Sequence, residues 1–192
     1  MISLDEIDKK IIAQLQTNGR ATLKEMAKAT GYTSMGVKRR IDKLIMQKTV
    51  RVSSSINLKK LNLCVALIFL EIKSGEMKRK ILEKFRECPR IIHLFTCLAG
   101  YNLIALVMAE DQSTLESESL ESCSLRNQEG VLRSEFYPIN EVEYEPFLTV
   151  RQCYAHREKT VAPCGANCKP CKRYRSNKCV GCPATKYYRG PL

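Results

Sequence analysis

The sequence predicts an α+β chain in three parts: a helix-turn-helix head, a βαββαβ middle and a small cysteine-rich tail. Three observations predict it. Apolar residues recur at three- and four-residue spacing through the first fifty positions, then give way to apolar runs of strand length. The net charge of +12 over 192 residues is unevenly spread. Residues 1–62 carry 13 Lys/Arg against 5 Asp/Glu, residues 63–150 carry 9 against 14, and residues 151–192 carry 10 against 1. Finally, five of the ten cysteines crowd between positions 164 and 182.

In the head, Leu4, Ile7, Ile11 and Leu15 mark one buried helical face. Ser3 with Glu6 reads as a capping box at its start, and Asn18-Gly19 as its stop. A second capping box, Thr22 with Glu25, opens a short helix through Lys28, with Leu23, Met26 and Ala27 inward. Gly31 supplies a tight turn. Thr33 or Ser34 then caps a third helix to about Gln47, whose apolar face is Val37, Ile41, Leu44 and Ile45. That leaves basic residues outward on the third helix, where the reading helix of a helix-turn-helix meets base edges. Arg39 is the candidate for base readout, because a guanidinium bonds guanine in a bidentate manner. Ser34 and Lys38 are expected near the backbone or a base edge, and Arg40 and Lys43 on phosphates. The blander reading is a basic three-helix bundle that docks on a protein.

Val50-Arg51-Val52 alternates and reads as a short strand leaving a winged-helix-type head, spanning 1–52. Residues 53–62 read as a linker. From 63 to 150 the order is strand (Leu63–Ile72), helix (Met77–Phe85), two strands (Ile91–Leu98 and Tyr101–Ala109), helix (Leu115, Leu120, Leu125) and a last strand from Val131, interrupted at Pro138. This βαββαβ order places two helices on one face of an antiparallel sheet. Several strands are apolar on both sides, so a second copy of the chain is expected over the other face.

Residues 3–147 resemble the Lrp/AsnC family, the feast/famine transcription regulators. The resemblance rests on Leu4-Asp5-Glu6-Ile7-Asp8-Lys9-Lys10-Ile11, Asn18-Gly19-Arg20, Arg40-Ile41 with Leu44, and Leu98-Ala99-Gly100-Tyr101-Asn102-Leu103. It implies a ferredoxin-like (RAM-type) dimerisation domain, assembly into dimers, tetramers or octamers, and binding to palindromic or repeated DNA half-sites. It also implies an amino-acid or other small effector near Gly100, Tyr101 and Asn102. Two departures stand out: Lys48 where the family usually has Gly after the third helix, and Asn102 where Asp is usual. The alternative for residues 100–102 is an ordinary hairpin turn.

The tail, 151–192, carries Cys164-x3-Cys168-x2-Cys171-x7-Cys179-x2-Cys182. Paired C-x-x-C turns gather thiolates for a metal. Zinc on Cys168, Cys171, Cys179 and Cys182 leaves Cys164 spare. A 4Fe-4S cluster, suited to redox sensing, is the alternative. Lys169, Lys172, Arg173, Arg175, Lys178, Lys186 and Arg189 interleave with Tyr174, Tyr187 and Tyr188. That pattern suits nucleic acid, an acidic surface of the transcription machinery, or the chain's own acidic middle.

No apolar run reaches membrane-spanning length, and the N-terminus has no basic region followed by an apolar one. A cytoplasmic, DNA-binding regulator with no membrane partner is therefore expected, and not an enzyme. The enzyme alternative is an AsnC-like haem-pathway decarboxylase, which the scarcity of histidines, only His93 and His156, disfavours.

Overall fold

The first helix, α1 (Glu6–Thr17), starts one residue after Asp5. The Asp5 carboxylate accepts the N–H groups of Ile7 and Asp8 at 3.0 and 2.8 Å, and Asp8 reaches back to the Asp5 N–H. The cap is thus Asp5 with Asp8, not Ser3 with Glu6. A carboxylate holds two orphan amides at once and favours the positive end of the helix dipole. Helix α2 (Leu23–Thr30) has the expected Thr22–Glu25 box and ends at Gly31, φ +74°. Helix α3 (Ser34–Met46) is capped by Thr33, which accepts the Gly36 N–H at 3.1 Å. Ile11, Met26 and Val37 are buried together, flanked by Ile7, Leu15, Leu23, Ala27 and Ile41. Ile45, expected inside, is 44% exposed.

The computed structural model describes residues 3–150 and 158–191. The chain divides into two compact units, Met1–Ser54 and Ser55–Leu192. The end of α3 explains why Val50–Val52 forms no strand. The N–H groups of Thr49 and Val50 both return to the Leu44 carbonyl, at 2.9 and 3.3 Å, closing the helix instead of entering a ladder. The Lys48 N–H bonds Ile45 O at 2.9 Å, completing a Schellman end with Lys48 itself at φ +55°. The helix therefore stops as it would with glycine, at a cost of about 1 kcal/mol for a side chain in the left-handed region.

In the second unit, β1 (Ile56–Asn57) pairs with β6 (Phe147–Leu148), so part of the expected linker is ordered. Between them run β2 (Cys64–Ile72), α4 (Gly75–Phe85), β3 (Ile91–Thr96), β4 (Leu103–Ala109), α5 (Gln112–Leu120) and β5 (Val131–Ile139). The sheet is antiparallel in the order β3-β4-β2-β5. Strand β2 alternates: Ala66, Ile68, Leu70 and Ile72 pack on Ile81, Phe85 and Leu115, while Val65 joins Leu63, Ile92 and Met108 in a second cluster. Each such side chain, fully buried, contributes about 1.5–3 kcal/mol.

Helix α5 stops at Leu120, earlier than the leucine spacing suggests, and Leu125 sits in a 3₁₀ turn, Leu125–Asn127. Pro138 does not interrupt β5. It stands opposite Ala66 on an edge strand, where a residue without an N–H is tolerated. Strand β3, at the other edge, has a register shift between Ile91 and His93.

Candidate nucleic-acid interface and cysteine cavity

Helix α3 presents Lys38, Arg39 and Lys43 to solvent, with Ser34 half-buried in its first turn. Among the described residues these three cations make no hydrogen bond or ion pair. Arg40 differs. Its guanidinium donates to Asp5 at 2.6 Å and Asp8 at 2.8 Å and stacks on the Tyr32 ring, 5.0 Å to the centroid. These bonds, with Asp5 first, raise the Arg40 pKa further. Arg40 thus ties α3 to the start of α1, a role its position beside Arg39 does not reveal.

At the β3–β4 hairpin, the Asn102 side chain clasps the end of β2. Its Oδ1 accepts the Ile72 N–H at 3.0 Å, and its Nδ2 donates to the Ile72 carbonyl at 2.8 Å. A carboxylate could accept but not donate, which accounts for Asn where the resemblance expects Asp. Tyr101 donates to Glu135, and Phe69 packs edge-on against Tyr101 and Tyr137. Glu135 is held down at about 2, first by the Tyr101 and then by the Tyr137 hydroxyl. Gly100 is exposed.

The tail is not free-standing. Residues 151–157, including Cys153 and His156, lie outside the described residues. From Glu158 onward the tail packs on the α/β unit: Ala162 and Cys164 join the same core as Phe85 and Leu115. Helix α5 buries Thr114, Ser117, Glu118 and Ser119, and the tail explains why. The Arg173 guanidinium donates to Ser117 Oγ and Ser113 O at 2.7 Å each, and pairs with Glu116 at 2.9 Å. Val180 N–H donates to Thr114 Oγ1 at 3.2 Å, and Ser113 Oγ to Lys178 O at 3.0 Å. Of the tyrosines, Tyr174 is buried, with the Arg189 guanidinium 4.0 Å over its ring.

Arg90 anchors this contact. It is fully enclosed, pairs with Glu110 and with Glu118 at 3.2 Å, and donates to the Gly181 carbonyl at 2.6 Å. One guanidinium faces two carboxylates, so the second is protonated more readily. Burial, opposed by Arg90, pushes Glu118 up to about 7.

Beside Arg90 lies a cavity of about 40 Å³ lined by all five motif cysteines and by Cys88 and Cys123 of the α/β unit. Backbone amides point at its sulfurs. Gly181 N–H reaches Cys179 Sγ at 3.4 Å, and the N–H groups of Ala166, Cys182 and Ala184 donate to Cys164, Cys168 and Cys182. Gly181 has φ +85°, and a Cβ there would meet the Tyr187 carbonyl oxygen at 2.6 Å. Cys171 instead bonds the Glu121 carboxylate at 3.7 Å. Among the described residues, no three Cys, His, Asp or Glu side chains converge on a single point as a mononuclear site requires.

Residues 4–45 match the AsnC-type helix-turn-helix domain family. An uncharacterised HTH-type transcriptional regulator of Pyrococcus furiosus is 30% identical over 109 residues, covering 56% of this chain and 74% of that protein. The HTH-type transcriptional regulator FL11 of Pyrococcus horikoshii is 27% identical over 118 residues, 60% of this chain and 78% of that protein. In fold, the chain is similar to a transcriptional regulator of Neisseria meningitidis solved with L-Met. That match has a TM-score of 0.67 and 20% identity, and it covers 80% of this chain and 99% of the other. A head of this geometry on a βαββαβ unit defines a DNA-binding transcription regulator. The chain belongs to the Lrp/AsnC family. That assignment sets aside the decarboxylase alternative. No helix among the described residues is long and apolar enough to cross a membrane.

Proposed function

We propose that this regulator binds related DNA half-sites as a homodimer, cytoplasmic and without a membrane partner. The supporting observation is the exposed row Lys38, Arg39 and Lys43 on α3, clear of the ion pairs that hold Arg40. Arg39 reads a base edge, Ser34 and Lys38 settle the helix entry, and Lys43 meets phosphate. Arg40 reaches DNA only if it leaves Asp5 and Asp8, so its part is to orient the helix. A second copy covers the open sheet face, where Phe95 is 52% and Tyr137 51% exposed. Higher assembly into tetramers or octamers builds on that dimer.

An amino-acid effector at the 100–102 loop is the reading that the L-Met complex of the Neisseria protein supports. Because the Asn102 amide is committed to Ile72, Gly100 and Tyr101 carry the ligand contacts. The tail binds metal through its cysteines, as the C-x-x-C pairs suggest. Its outward cations, such as Lys169 and Lys172, face DNA or the transcription machinery.

Selection from a random duplex library tests the core of this reading. It should return paired half-sites spaced by multiples of roughly 10 base pairs, with affinity falling steeply as salt rises. Binding that is equal on all sequences, or a monomer by light scattering, would overturn it.

A further inference from the structure

The cavity beside Arg90 says more about the metal than the motif does. A single zinc ion needs four sulfurs at about 2.3 Å from one point, hence about 3.8 Å from one another. The cysteines here ring one enclosed space, yet no three of them converge in that way. Thiolates arranged around a space, each facing a different part of it, suit a cluster in which every cysteine binds its own iron.

The backbone identifies the ligands. A peptide N–H aimed at sulfur stabilises it as a thiolate, and such hydrogen bonds accompany cluster sulfurs. Cys164, Cys168, Cys179 and Cys182 each receive one, from Ala166, Cys182, Gly181 and Ala184 respectively. Cys171 has a carboxylate for its neighbour, Glu121, which would repel a thiolate and holds a protonated thiol. Three of the four amides come from the residue two positions after the cysteine they serve. The fourth, from Cys182 to Cys168, ties the two cysteine loops together. The guanidinium of Arg90, also on the cavity wall, offsets negative charge there. The remaining wall is thiol and methyl groups from Cys88, Cys123, Ala162 and Ala166, which exclude water.

Resting on the reading that the tail binds metal, we infer that Cys164, Cys168, Cys179 and Cys182 hold a 4Fe-4S cluster enclosed between the tail and the α/β unit. Cys171, Cys88 and Cys123 wall the site and are not ligands. The fifth motif cysteine, spare in the zinc arrangement as Cys164, is here Cys171. Because α5 and β3 supply part of the wall, loading the cluster fixes the tail onto the domain that carries the sheet.

The full chain, purified without oxygen and reconstituted with ferrous iron and sulfide, tests this. The expected product is brown, with about four iron and four sulfide per chain. Serine at 164, 168, 179 or 182 should each abolish most of the visible absorption, while Cys171→Ser and the control Cys97→Ser keep it. Far-UV circular dichroism checks that each variant retains its fold. A folded chain holding one zinc, with no iron or sulfide retained, overturns the cluster and leaves the metal-binding tail standing. A folded chain retaining neither metal overturns both. Loss of the cluster in Cys171→Ser, with retention in Cys164→Ser, overturns the ligand assignment.

Discussion

The two basic ends of this chain carry similar excess charge, +8 in residues 1–62 and +9 in residues 151–192, and use it in opposite ways. The head leaves Lys38, Arg39 and Lys43 in solvent on one helix. The tail turns Arg173 and Arg189 inward, one onto the serines and Glu116 of α5, the other onto Tyr174 and Asn177. Equal counts of charge therefore do not mean equal footprints on a polyanion. What matters is whether a cation already has a partner, and that depends on contacts far apart in sequence.

The comparison breaks most visibly if the tail's anchor is removed. Arg90→Ala leaves Glu110 and Glu118 buried without their cation and frees the Gly181 carbonyl. It should cost about 3–5 kcal/mol in urea unfolding. A loss below about 1 kcal/mol would mean that the triad is dispensable.

Next in size, Arg39→Ala should weaken binding to the selected DNA about tenfold to a hundredfold and relax one base position. Arg173→Ala should leave DNA affinity within about twofold while destabilising the tail by about 1.5 kcal/mol, as a lost charged hydrogen-bond set does. Gel-shift titrations and limited proteolysis of the same two proteins separate these outcomes. Equal effects on DNA would erase the contrast between the ends.

Smaller still, Lys48→Gly should stabilise the head by about 1 kcal/mol, read as a rise in its thermal midpoint, by relieving the left-handed backbone.

The smallest effect is at acid pH. The Asp8 amide and then Arg40 hold the Asp5 carboxyl below its usual value of 3.8. A depressed folded pKa contributes stability above the unfolded value, lost as pH falls through the folded one. Asp5→Asn should flatten the acid limb of the head's stability curve below about pH 4, with little change near neutrality. An unchanged limb would remove Asp5 from the account.

Much of the fold was legible because its signals are local. The Thr22–Glu25 box, the turn at Gly31 and the change from helical spacing to strand-length runs each lie within a few residues, and each appears in place. Caps were legible in kind but not in position: Ser3 and Asp5 can both start a helix, and Arg40, thirty-five residues away, adds to the case for Asp5. The cysteine spacing pointed to a metal. It could not show that Cys88 and Cys123 share the tail's cavity, or that Arg90 bonds Gly181, because those contacts span forty residues or more. The polar residues of α5 looked like a weak helix, since Thr114 and Ser117 make sense as buried groups only once the tail supplies their partners.

The edges of the sheet carry a consequence for assembly. A sheet can recruit another chain by extending its hydrogen-bond ladder sideways or by stacking one face on another. Here sideways growth is obstructed at both margins, by the missing amide of Pro138 on β5 and by the dislocated register at Ile91–His93 on β3. Copies of this regulator are thus steered to meet broadside, which keeps their number finite where edge-on pairing would invite an endless ribbon.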